Sequence, residues 1–189
     1  MHTLHQLWSL AVEQAECSRM TFASAFGEIG LRLERPFLHA WYTTTPRNAS
    51  VFASTGGDGV HFSLLHVNGE IQETSPVVMT VPMCFDRPNL IVGESLYDFL
   101  CLGCQTDYAY LEQLVYDRQT AIAALSNPDA WRANHYSGLP DEVRQRNQRL
   151  LDRLTDALKL HPWGTIDQRL NELEVYYVPL LMLSPGAGA

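Results

Sequence analysis

Residues Gly56 to Leu102 read GGDGVHFSLLHVNGEIQETSPVVMTVPMCFDRPNLIVGESLYDFLCL, and their order decides the fold. Gly56, Gly57 and Gly59 around Asp58 form a turn, because glycine enters the positive-φ region without steric cost. Val60, Phe62 and Leu64 then alternate with His61, Ser63 and Leu65, the period of a strand with two distinct faces. Asn68-Gly69 is the strongest hairpin signal in the chain and predicts a short return strand over 70–73. The apolar run Pro76 to Pro82 reads as a strand buried on both faces, and Asn89 to Val92 as a last strand or a lead-in to a helix. Leu96, Phe99 and Leu100 recur as the buried stripe of that helix, after Gly93-Glu94-Ser95.

Working outward, Leu4, Leu7, Trp8, Ala11, Val12 and Ala15 predict a helix over residues 4–26. The aromatic-rich stretch 37–43 and residues 50–54 read as two further strands. Downstream, helices are predicted over Asp107 to Leu125, where Asn127-Pro128 stops the chain, and from Pro140, with Asp141 and Glu142 in the first turn. Residues 131–138 read as a loop, 166–177 as a short final helix and 185–189 as a mobile tail. The expected architecture is a single α+β domain over 1–184. An antiparallel-rich sheet is flanked by an N-terminal helix and several C-terminal helices.

The 189 residues suffice for one buried core, and the absence of internal repeats or long linkers argues for one domain. A formal net charge of −8 with no basic run excludes nonspecific nucleic-acid binding, which needs a cationic footprint. No stretch reads as a membrane span or signal peptide, and four cysteines are too few for a disulfide scaffold. These features lead to the expectation of a cytoplasmic protein, in which the Asn48-Ala49-Ser50 sequon has no role.

No Walker loop, dinucleotide fingerprint, nucleophile elbow or HExxH is present, and no cofactor is implied. Cys101 and Cys104 form a CxxC, the spacing of redox pairs and of half a zinc site. They fall late in a predicted helix, where the dipole disfavours thiolate, and no second ligand pair exists; they read as buried packing. Asp58, His61 and Ser63 are too local to form a triad, which converges from separate elements. His39 would approach His61 if their strands pair, which leaves open a small enzyme with a non-local site. Between 94 and 118 the chain holds Glu94, Asp98, Asp107, Glu112 and Asp117 against Arg118 alone. Glu94 and Asp98, four apart on one predicted helix face, together with Glu112, are the expected contacts for a basic partner.

The segment Gly57-Asp58-Gly59-Val60-His61-Phe62, the strand Pro76 to Pro82, and Asn89 to Leu100 resemble the SUKH superfamily of cell-wall-assembly regulators and bacterial immunity proteins. Ile91, Val92, Ser95, Phe99 and Leu100 fill the positions of its strand-to-helix motif. The matched region spans about a quarter of the chain. The family's Leu-Pro turn after the first helix is not evident near 27–36, and the helical region 105–177 is longer than a minimal member. The resemblance implies a noncatalytic α+β binding module that neutralises a toxin, often a nuclease, by direct contact. A regulatory or scaffold subunit is the third expectation.

Overall fold

A computed structural model describes residues 1–39 and 41–185. Residue 40, inside the expected strand 37–43, and residues 186–189 of the expected tail lie outside them. Five strands, β1 (Arg32–Leu38), β2 (Ala49–Ser54), β3 (His61–Leu65), β4 (Val77–Thr80) and β5 (Asn89–Gly93), form one sheet in the order β1-β2-β3-β4-β5. Every neighbouring pair is antiparallel. Among the described residues seven α-helices accompany them: α1 (His2–Ser18), α2 (Leu96–Gly103), α3 (Gln113–Tyr116), α4 (Arg118–Ser126), α5 (Pro128–His135), α6 (Asp141–Leu158) and α7 (Ile166–Tyr177). The chain is therefore the single α+β domain that the sequence predicts.

Strand alternation sorts two cores. Phe52, Phe62, Leu64, Val77, Met79, Leu90 and Val92 face a large core with Leu4, Leu7 and Ala11 of α1, Phe99 and Leu100 of α2 and Leu150 and Leu154 of α6. Their sheet neighbours Ala49, Leu65, Val78 and Ile91 face a smaller one with Leu173 of α7, joined by Trp163, Tyr177 and Leu181. The family-like motif has a plain physical reading. Leu90 and Val92 enter one core and Ile91 the other, the Ser95 hydroxyl caps α2 by accepting from Asp98 N–H, and Phe99 and Leu100 are fully buried.

Several boundaries differ from the sequence expectation. The first helix ends at Ser18 rather than 26, because Arg19 turns into the left-handed region and closes the last turn. The first strand is Arg32–Leu38 rather than 37–43. Leu31 and Leu33 are buried on either side of Arg32, and Pro36 is tolerated because β1 is an edge strand. Trp41 and Tyr42 lie in the following loop, half exposed. The Asn68-Gly69 turn forms with both residues at positive φ, yet supports only the bridge Val67–Glu70. The expected return strand is loop, and β3 pairs with β4 instead. The predicted helix 107–125 is broken at Asp117, whose carboxylate accepts from Thr120 N–H and starts α4 afresh. Asn127-Pro128 ends α4 and also begins α5, where a loop was expected: Asn127 accepts from Ala130 N–H and Pro128 takes the first helical position.

Candidate partner-binding surface

His61 is fully buried and doubly satisfied. Its Nδ1–H donates to the Gly59 carbonyl (2.7 Å), so Nε2 is the acceptor and takes the Thr45 hydroxyl proton at 3.0 Å. Thr45 Oγ1 in turn accepts from Tyr42 N–H at 3.0 Å. The imidazole thus ties the 41–48 loop to the sheet. It does not meet His39. That residue shares the Ser50 hydroxyl with His66, at 3.1 and 2.9 Å, across the start of β2. The approach of His39 to His61 is conditional on their strands pairing; β2 lies between β1 and β3, and these two histidines belong to separate hydrogen-bond groups.

Burial pushes His61 below the ordinary value of 6.5, and burial together with the neighbouring His39 does the same for His66. An unfolded chain takes up protons on both near pH 6.5 that the folded chain refuses. Their contribution to stability is whole above that pH and declines as pH drops toward the lowered values. The melting temperature should therefore fall between pH 7 and 5, by about 2–4 °C for each kcal/mol lost in a chain of this size. Substituting His61→Gln should flatten part of that fall. An identical fall in H61Q and H66Q would show that neither histidine is its source.

The thiols are poor nucleophiles. Burial raises Cys101, and burial reinforced by Cys101 pushes Cys104 up to about 12. Cys104 Sγ–H donates to the Cys101 carbonyl, and Cys101 Sγ accepts from His161 N–H.

The expected acidic contacts have different surroundings from one another. Glu94 precedes the helix instead of sharing its face, and Asp98 stands in the first turn, accepting from Glu94 N–H at 2.9 Å. Arg169 of α7 bridges both carboxylates at 3.0 Å and lies over the Trp163 ring. Glu94 remains 55% exposed and Asp98 only 15%. Glu112 is half buried; burial raises its carboxyl, and repulsion from Asp58 adds to this. Asp98 is thus a structural anchor with Glu94 at its rim. An Asp98→Ala variant should lose about 1–2 kcal/mol in denaturant unfolding, since it strips hydrogen bonds from Arg169 and from Glu94 N–H. Unchanged stability would make the ion pair a surface ornament.

The prominent surface lies elsewhere, and the sequence reading missed it. Residues 175–183 read VYYVPLLML. Ile166, Leu170 and Leu173 form the buried side of α7, while Val175 and Tyr176 point away from it, 73% and 72% exposed. After α7 the chain runs back along the 41–48 loop as a strap. Arg47 N–H donates to the Met182 carbonyl (2.8 Å), Asn48 Nδ2–H to the Leu180 carbonyl (2.9 Å), and Met182 N–H to Asn48 Oδ1 (2.9 Å). Leu181 packs on the smaller core, and its neighbours Leu180 and Met182 are left in solvent.

Between the strap, α7 and the β4–β5 connection lies a groove of about 430 Å3, lined by Pro88, Asn89, Val175, Val178, Leu181 and Leu183. Val175 also borders a second concavity of about 470 Å3 beside Tyr176, so it stands as a ridge between two hollows. Phe85, adjacent to the groove residue Asp86, is 73% exposed. Arg87 is engaged with Glu174, which also holds Arg118 at 2.7 Å. The available sequence signal was apolar residues that continue past the buried stripe of a terminal helix.

Among the described residues, no group of three or more His, Cys, Asp or Glu side chains is placed to hold a metal ion, and no helix is long and apolar enough to cross a membrane. Comparison with protein-family models, with curated proteins and with solved structures finds no match to this chain.

Proposed function

We propose that the chain is a noncatalytic protein-binding module that occludes a basic protein partner, with the immunity-type role implied by its SUKH-like segment. The observation that carries this reading is the exposure of Val175, Tyr176, Leu180 and Met182 at the end of α7 and along the strap, beside a groove whose lining includes Val175, Val178, Leu181 and Leu183. Contiguous apolar surface with aromatic anchors is costly to leave in water and typical of contact sites. Acidic Asp86, Glu172 and Glu94 stand near α7 or on it, and the chain carries a net charge of −8, so a cationic partner would be drawn to this side. Further support comes from the side chains best suited to chemistry. His61 is locked between Gly59 and Thr45, and both CxxC thiols are pushed toward the protonated form.

The test is capture of partners from host lysate with tagged protein at low and high salt, with mass-spectrometric identification. One stoichiometric basic protein, toxic when expressed alone and released by salt, supports the reading. No retained protein at either salt, with a monomer by light scattering, removes it.

A further inference from the structure

Beyond that reading, α6 brings three arginines to one cleft of this acidic chain. A cleft of about 520 Å3 opens between α1 and α6, lined by Gln14, Ser18, Met20, Ala25, Glu28, Arg146, Arg149, Leu150 and Arg153. The three arginines follow at spacings of three and four along α6, so they share one face of the helix. Two of the three guanidinium groups meet carboxylates, Glu28 in the lining and Glu13 beside it, which leaves one positive charge in excess.

Their engagement differs. Arg146 pairs with Glu28. Arg153 reaches Gln14 at 2.7 Å and Glu13 at 3.2 Å. Arg149 makes no ion pair or side-chain hydrogen bond among the described residues, although it lines the same cleft. The carbonyls of the last turn of α1 do not offset this charge freely. Met20 N–H closes on the Ala15 carbonyl at 2.9 Å, and Arg19 N–H on that of Glu16 at 3.4 Å. Beneath the charged rim the floor is apolar, with Ala25 and Leu150 both buried and Met20 at the edge.

We propose that this cleft binds a small organic phosphate, its anionic end held by Arg149 with help from Arg146 and Arg153, and its apolar body resting on Ala25, Leu150 and Met20. Guanidinium forks match phosphate oxygens in bidentate geometry. The volume lies within the range of small-molecule sites, and those sites pair an apolar lining with a few placed polar groups. A macromolecular polyanion fits less well, because three arginines in one concavity are a small footprint on a chain of net charge −8.

The experiment follows backbone amides by NMR during titration with adenosine monophosphate, inorganic phosphate and uncharged adenosine, at fixed ionic strength. Adenosine monophosphate should perturb the amides of Ala25, Arg149 and Leu150 more than phosphate does, and adenosine should leave them unmoved. Arg149→Ala should weaken that binding about tenfold or more. Arg144→Ala, on the same helix but outside the cleft and paired with Asp141, should leave it unchanged. Equal weakening by R144A and R149A would reveal charge attraction without a site. Silence at these amides with the nucleotide at about 10 mM would overturn the proposal.

Discussion

Replacing Phe99 with alanine lowers the unfolding free energy by about 3–5 kcal/mol, the usual cost of emptying a buried aromatic site. Phe99 stands at the centre of the larger core. Its ring lies 5.8 Å from Phe52, 4.7 Å from Phe62 and 5.2 Å from Tyr108, and all four are fully buried. Collapse into the void is obstructed on two sides. Tyr108 is fixed by donating its hydroxyl to the Leu100 carbonyl at 2.9 Å. The backbone of Gly93 comes so near that a Cβ there would sit 2.5 Å from the Phe99 amide nitrogen. Phe99→Leu, which keeps most of the volume, should cost clearly less. Denaturant unfolding monitored by circular dichroism checks both variants. A loss below about 1 kcal/mol for F99A would mean that the four-ring packing is not the keystone of this core.

Substituting Val175→Asp together with Tyr176→Ala abolishes partner capture while leaving the melting temperature near that of the parent chain. Both side chains are more than 70% exposed, so folding loses little when they change. A partner that seats an apolar side chain in the adjoining groove meets a buried carboxylate in the double variant. Truncation of a central anchor alone commonly costs 2 kcal/mol or more, about a 30-fold loss of affinity. Glu94→Lys, at the rim, should instead slow association at low salt, and its difference from the parent chain should vanish as salt rises, because exposed charges act through a screened field. Surface plasmon resonance on the captured partner separates the two effects. Full-strength binding by V175D/Y176A would move the contact away from α7 and the strap.

The sheet was legible because its signals are local. Val60 to Leu65 alternates, Pro76 to Pro82 is uniformly apolar, and Ser95 with Phe99 and Leu100 marks a capped amphipathic helix. Those features depend on neighbours in sequence, and the structure contains the corresponding elements. The break at Asp117 and the start at Pro128 were harder, since the residue that ends one helix caps the next. The candidate surface was hidden for another reason. Glu94 and Asp98 look like free acid until Arg169, some seventy residues later, folds back onto them. An apolar C-terminal run looks like core until the 41–48 loop proves to hold its backbone in place. Charge pairing and exposure at long sequence separation are properties of the folded chain, and periodicity does not report them.

The sheet is a simple meander, so each strand can pair with the one just made before it during synthesis. Its second face receives Trp163, Leu173 and Leu181 only after some seventy further residues have followed β5. Until then that face must endure water, along with every chaperone and nascent neighbour nearby. His61, Ser63, Thr80 and Asn89, all buried in the finished protein, lie on its strands among the apolar side chains. In the finished protein His61 and Asn89 tie down the 41–48 loop through Thr45 and Thr44; before the C-terminal cover leaves the ribosome, the same polar groups make the half-built sheet a less adhesive surface.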